Sequence, residues 1–486
     1  MKIPARTTRE TLNRLSPESG PFFPMRQVGA WGALVLGTCL LALGGCAAGP
    51  DYVKPKMDVP AQYKEDGLWK TARPNDEIKR GEWWRIYQDT QLDKLMDTLN
   101  RQSPTIAQAE AQYRQAQALL RQAEASLFPS LSVSAGKTRG TLSSSSSAVT
   151  SQYSVSGNVS WELDLWGGIR RNVEAGEAQA AASAAQLAAV RLSSQSQLAT
   201  AYLQLVVADL QIGQLQASEN ALKETLELTR NQYNAGYVSD ASVAQAESQW
   251  KTAQAATVDK RLTRAQLEHA IAVALGQVPA SFSLPVSQHA PHLPLIPPGL
   301  PSTLLERRPD IASAERTVAQ ANAQVGVAQA AFFPTLSLSA SGGYRNSTLA
   351  NLISLPNRIW SIGPQLALSV FDAGLRNAQS DQAIASYDAS VASYRKTVLT
   401  AFQEVEDNLS AQTMLKQQAE LQEAALAAAK RSEEITLNQY NAGVVGYINV
   451  LTAQNSRITA ENTLWTVKNR QYIANVALIA AIGGQW

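Results

Sequence analysis

The hexapeptide NQYNAG occurs at Asn231 to Gly236 and again at Asn438 to Gly443. Working outward from the two copies, SPTIAQAE (Ser103 to Glu110) aligns with RPDIASAE (Arg308 to Glu315), and LFPSLSVSA (Leu127 to Ala135) with FFPTLSLSA (Phe332 to Ala340). LWGGIR (Leu165 to Arg170) aligns with FDAGLR (Phe371 to Arg376), all at an offset of about 206 residues. That offset exceeds any solenoid period, so it marks duplication of a whole structural unit. The copies are read as residues 103–278 and 308–486, separated by a proline-rich connector, 279–307, in which regular structure fails and which is expected to pack against the helices midway along their length.

Each hexapeptide closes a long proline-free stretch, Ile169 to Tyr233 or Gly374 to Tyr440. Apolar or small residues recur there in steps of three and four, through Leu187, Val190, Ser194, Leu198, Ala201, Leu205, Ala208, Ile212 and Leu215 in the first copy. That spacing predicts coiled-coil-like helix packing. Some 65 helical residues span about 100 Å. The Gly of each NAG turn suits the left-handed C-terminus of a helix, and a second helix follows, Ser239 to Leu275 or Tyr447 to Ile482. Gly213 marks either a local bend or a tolerated surface glycine.

Upstream, the periodicity changes to two. Leu131, Val133 and Ala135 alternate with Ser132, Ser134 and Gly136; Tyr153, Val155, Val159, Trp161 and Leu163 alternate with Ser154, Ser156, Asn158, Ser160 and Glu162. The second copy repeats this, Leu336, Leu338 and Ala340 opposing serines, then Ile362, Leu366, Leu368 and Val370 opposing Ser361, Gln365 and Ser369. Segments of about ten residues with an apolar and a serine-rich face have the pattern of a membrane barrel with a wet lumen. Two hairpins, about 130–164 and 335–371, give four strands, and about eight are needed to close a barrel. An open edge in lipid leaves backbone groups unpaired at several kcal/mol each, so several chains must combine. Phe128, Trp166, Phe332, Phe333 and Phe371, where strands meet helices, are expected to form one interfacial girdle.

With 45% hydrophobic residues and a net charge of +2, the chain is neither disordered nor directed to nucleic acid. Its three histidines, His269, His289 and His292, sit in no metal-ligand or catalytic pattern, and no phosphate loop or nucleophile elbow is present, so no enzyme, metal or cofactor is expected. Both cysteines precede residue 50. The apolar run Ala30 to Leu43 follows Arg26, as in a secretory signal. LGGC (Leu43 to Cys46) resembles a bacterial lipobox, which implies a signal peptide over 1–45 and acylation of Cys46 as the only covalent addition. Met25 is suspected as the true start, and residues 46–102 are read as a lipidated extended segment followed by a first helix.

GPDYVKP (Gly49 to Pro55), EWWRIYQDTQLDKL (Glu82 to Leu95), LLERRPDI (Leu304 to Ile311), QVGVAQAAFFPTLSLSASGG (Gln324 to Gly343) and the two NAG turns together resemble the TolC/OprM-like outer membrane factors of tripartite efflux systems, especially the NodT lipoprotein branch. The resemblance implies an α+β membrane protein. Three protomers of four strands each would form a 12-stranded outer membrane β-barrel, continued by a long periplasmic α-helical barrel. It implies a homotrimer, lipid-anchored in the outer membrane, whose tips at 234–240 and 441–447 meet a periplasmic adaptor bound to an inner-membrane pump, often of the resistance-nodulation-division type. Tyr233, Gly236, Asp240, Tyr440, Gly443, Tyr447 and Thr452 are the candidate tip, gate and adaptor-contact residues, the tyrosines being read as exposed. Where relatives often carry Asp, this chain has Thr452; Asp240 is the substitute carboxylate, and Tyr447 is expected to hydrogen-bond in the closed state. The expected function is passive conduction of drugs or other small toxic solutes. The alternatives are an exit duct for type I protein secretion and a structural coiled-coil lipoprotein without a pore.

Overall fold

The computed structural model describes residues 47–56, 81–141, 149–294, 296 and 307–484. The signal segment and Cys46 lie outside the described residues.

After a short 3-10 turn, Trp83–Tyr87, helix α1 (Thr90–Gln102) starts where the Asp89 carboxylate accepts from the backbone of Gln91 and Leu92 at 2.8 and 3.0 Å. That is an N-cap serving two otherwise unpaired donors. Helix α2 (Pro104–Ala125) takes proline at its first position, where the missing N–H costs nothing. The Phe128-Pro129 pair then ends the helical path, and strands β1 (Ser130–Thr141) and β2 (Val149–Leu163) follow. Helices α3 (Gly168–Asn234) and α4 (Asp240–Ala274) complete the first copy. The second repeats the order with α5 (Pro309–Ala330), β3 (Thr335–Asn346), β4 (Arg358–Ala367), α6 (Leu375–Asn441) and α7 (Tyr447–Ala481). At 67 residues each, α3 and α6 run about 100 Å. α3 passes unbroken through Gly213, which is exposed, as a tolerated surface glycine would be.

The four strands make one antiparallel sheet in the order β1-β2-β3-β4, and β2 pairs with β3 to join the copies. Register aligns the apolar side from strand to strand: Leu131 faces Val159, Val159 faces Ala340, and Leu336 faces Leu366. Leu131, Val133, Ile362 and Leu366 on that side are exposed in the protomer, while serine pairs bridge strands on the other, Ser134 to Ser156 at 3.0 Å and Ser341 to Ser361 at 2.8 Å. None of the described helices is long and apolar enough to cross a membrane.

Helix packing follows the same lateral order. α3 lies centrally against α2, α4, α5 and α7, while α6 packs on α5 and α7 alone among the long neighbours. One edge of the protomer is therefore α2, β1 and α4; the other is β4 and α6. The main core sits at mid-length. Trp83, Trp84, Tyr87, Leu92, Met96 and Leu99 fill the space between Leu198, Leu203, Leu205 and Val206 of α3, Ile271 of α4 and Val476 and Ile479 of α7. Each fully buried leucine there contributes about 1.5–3 kcal/mol. The connector docks at this level: Arg264 donates to Leu284 O at 2.8 Å, Ser287 N–H to Asp209 at 2.9 Å, and Tyr472 and Asn475 to Pro291 O and Pro294 O at 2.6 and 2.8 Å.

Candidate functional site

Both helical hairpins turn alike at the end remote from the sheet. Gly236 N–H donates to Tyr233 O at 2.9 Å and Tyr237 N–H to Gln232 O at 2.9 Å; Gly443 and Val444 repeat this onto Tyr440 O and Gln439 O at 2.9 and 2.8 Å. Gly236 and Gly443 hold φ of 79° and 73°, the left-handed conformation in which a Cβ is penalised.

Around these matching turns the side chains have unlike surroundings. Tyr440 and Tyr447 are buried, 6% and 4% exposed, with ring centroids 5.8 Å apart, in a cluster with Val450 of α7 and Leu226 and Ala246 of the first copy. The Tyr440 hydroxyl donates to Gln232. Their first-copy equivalents, Tyr233 and Asp240, are exposed, and Tyr237 beside them is 83% exposed. Asp240 sits in the first turn of α4, where the helix dipole favours an anion. The expectation of exposed tyrosines thus holds for Tyr233 and is corrected for Tyr440 and Tyr447. The second turn packs on the first copy's helices, whereas the first turn meets no equivalent neighbour among the described residues.

Tyr447 requires a second correction. Its hydroxyl is buried without a hydrogen-bond partner among the described residues, and burial pushes its pKa up to about 12. It supplies no closing hydrogen bond in this arrangement. Thr452 is exposed and returns its hydroxyl to Ile448 O at 2.9 Å; with Gln422, Asn455, Ser456 and Thr459 it lines an uncharged polar groove. Gln249 of α4 donates to Asn455 of α7 and links the copies at this level.

Behind the turns lies an ionic cluster that sequence reasoning missed. Arg457 meets Glu433 at 2.5 Å, Glu461 at 2.9 Å and the Ser218 hydroxyl at 3.4 Å, and Lys430 stands 3.9 Å from Glu461. Burial raises the pKa of Glu433 above its ordinary value, and Arg457 opposes that shift. The i to i+4 step from Arg457 to Glu461 was the available signal.

At the opposite end, the segment after Cys46 forms a strap over both copies. Ala48 N–H donates to Trp166 O at 2.8 Å. Arg171, almost wholly buried, donates to Ala48 O, Gly49 O and Asp51 at 3.2, 3.3 and 2.7 Å and to Glu174 at 2.7 Å. Asn322 of α5 donates to Pro50 O at 2.9 Å, and Tyr52 and Lys54 reach Glu315 at 3.3 and 3.1 Å. Gly49 and Gly326 touch so closely that a Cβ on Gly49 would lie 2.4 Å from the Gly326 Cα. Ala47 is thereby fixed beside the sheet–helix junction, where Trp166 stacks on Phe333 at 4.8 Å and donates to Pro334 O at 2.7 Å. Phe128 and Phe371 stand exposed at the same junction. No sequence signal singled out Arg171, one of four arginines on α3.

At mid-length a groove of about 940 Å³ has a mixed lining, polar at Gln197, Thr200 and Asn408, charged at Arg308, Asp310 and Glu404, and apolar at Val190, Leu192 and Val476. Among the described residues no group of His, Cys, Asp and Glu is placed to hold a metal. The chemistry on display is that of a wall: one greasy band, long polar faces and two helical turns.

Residues 95–277 and 300–484 each match the profile described as outer membrane efflux protein, one match per copy. The chain is 30% identical over 468 residues to the probable efflux pump outer membrane protein TtgC of Pseudomonas putida, covering 93% of this chain and 95% of that protein. It is 29% identical over 463 residues to the cation efflux system protein CusC of Escherichia coli, covering 92% and 97%. Among solved structures it resembles the outer-membrane channel OprN with a TM-score of 0.83 at 28% identity, covering 91% of this chain and 100% of that one.

Proposed function

The chain belongs to the outer membrane efflux protein family and is an outer membrane channel of an efflux pump; on that premise we propose that it works as a homotrimer which conducts solute passively. Three four-stranded sheets make a 12-stranded barrel, with the serine face as a wet lumen and the helices extending it through the periplasm. The observation that carries this reading is the sheet itself. It has an apolar outer face and unpaired edges at β1 and β4 that lipid cannot satisfy.

Cargo is a drug or another small toxic solute, handed over by a periplasmic adaptor and an inner-membrane pump at the turns 234–240 and 441–447. The protein itself catalyses nothing, and energy and selectivity reside in the pump. Cys46 carries the lipid anchor; the adjoining Ala47, held at the sheet–helix junction, supports delivery of that anchor to the inner face of the outer membrane. Asp240 and Thr452 line the approach to the tunnel, and Tyr440 and Tyr447 brace it from behind.

Purified protein in planar bilayers should give stable single-channel conductance and migrate as a trimer in mild detergent. A monomer without conductance overturns the proposal. Replacing Cys46 by Ser should abolish palmitate labelling while leaving the sheet intact.

A further inference from the structure

The strands hold five charged residues, Lys137, Arg139, Glu162, Arg345 and Arg358, and no Asp or Glu occurs from Leu127 to Trp161 or from Phe332 to Phe371. Alternation sorts them by face. Lys137 and Arg139 share the side of Leu131, Val133 and Ala135, and Arg358 shares the side of Trp360, Ile362 and Leu366; Arg345 and Glu162 fall on the serine side. Lys137 Nζ lies 5.2 Å from the ring centroid of Tyr153, its cross-strand partner, which confirms that both project from the same face. The lipid-facing side therefore carries three cations and no carboxylate.

Height places them at the far membrane surface. Lys137 is nine residues beyond Phe128, and Arg358 is thirteen beyond Phe371, counted away from the helices. At about 3.3 Å per residue and a tilt near 40°, they stand roughly 23 and 33 Å above the inner girdle, where the apolar band is about 25 Å tall. Tyr153, Tyr344 and Trp360 reach the same level and form the second aromatic belt.

The duplication brings these cations together across copies of the chain. Leu131 and Leu336 are equivalent in the repeat and face Val159 and Leu366, so Val159 corresponds to Leu366. Val159 faces Ala340, whose equivalent is Ala135. The seam between protomers repeats the β2–β3 pairing when Leu366 of one copy faces Ala135 of the next. Lys137 and Arg139 then flank Pro364 and Ile362 of the neighbouring copy, with Trp360 and Arg358 just beyond.

We propose that Lys137 and Arg139 of one protomer and Arg358 of the next form a site for phosphate-bearing lipid headgroups of the outer leaflet, one per seam. Arginine forks and the lysine ammonium match phosphate oxygens, and the aromatic belt seats the acyl chains beneath. This rests on the membrane reading above.

The test titrates purified trimer in detergent with fluorescent lipid A carrying both phosphates and with dephosphorylated lipid A. Wild type should prefer the phosphorylated lipid. Each basic residue removed should weaken binding about fivefold, so Lys137→Gln, Arg139→Gln and Arg358→Gln together should cost on the order of 100-fold. Arg345→Gln, on the lumen side, should change nothing, and millimolar inorganic phosphate should not displace the lipid. An unaffected triple variant, a wild type indifferent to the phosphates, or displacement by inorganic phosphate alone overturns the proposal. Conductance and trimer migration measured on the same samples separate the outcomes: a wild type that neither trimerises nor conducts sinks the channel reading, whereas a conducting trimer without phosphate preference sinks only the lipid site.

Discussion

Helices α3 and α6 descend from one duplicated segment and are both 67 residues long, yet twenty-three residues of α3 are buried in the protomer and only nine of α6. The difference is one of position. α3 has α2, α4, α5 and α7 packed along it, while α6 forms an edge and leaves Leu399, Met414, Leu421 and Ile435 exposed along its length. At the tips the contrast reverses, with Tyr440 of α6 buried and Tyr233 of α3 exposed. Like sequences thus acquire unlike burial because the two copies hold different positions in the protomer. Its bare edge at α6 is the surface that the proposed trimer covers.

The strongest way to break this contrast is to truncate the centre. Leu205→Ala, at a fully buried site of α3, should cost about 2–5 kcal/mol, seen as loss of folded protomer in thermal melts followed by helix circular dichroism. At the edge, Leu399→Glu with Leu421→Glu should leave helix content unchanged and abolish the trimer in mild detergent. A surviving trimer would show that this face is not the interface.

On the sheet, Val159→Asp should impair membrane assembly by up to a few kcal/mol near mid-membrane, read as reduced trimer yield. Normal yield would place the lipid on the other face. At the tip, Tyr440→Phe removes the bond to Gln232 and should loosen the turn by about 1 kcal/mol. Tyr447→Phe deletes a hydroxyl that has no partner among the described residues and should be neutral or slightly tightening. Sensitivity to large antibiotics compares the two, and greater leakage from Tyr447→Phe would contradict the packing described.

The smallest effect concerns pH. Glu433 has its pKa raised in the folded protein, so between its ordinary value near 4.5 and the raised one the folded state binds more protons than the unfolded state. Its contribution is fully present below that window and is lost as pH rises through the raised pKa. Glu433→Gln should flatten this part of the melting-temperature profile.

Much of this architecture was legible because it rests on local rules. Period-two runs became β1 to β4, the Phe-Pro pairs marked where helices stop, and the NAG glycines adopted positive φ. What escaped depends on neighbours. NQYNAG is identical in both copies, so no local rule distinguishes a buried Tyr440 from an exposed Tyr233. Arg457, Glu433 and Glu461 read singly as solvated helix charges, and only the approach of α6 to α7 makes them a cluster. Arg171 is recognisable only once the strap lies across it.

The strap also sets a timetable. Ala47 to Lys56 leaves the ribosome early, yet Pro50 is held by Asn322, 272 residues later in the chain. Loop closure over such a separation is slow compared with helix or hairpin formation. The strap's bonds to Trp166 and Arg171 need only the first copy, whereas those to Asn322 and Glu315 must wait until the second half has been made, so its full docking reports that both halves have come together.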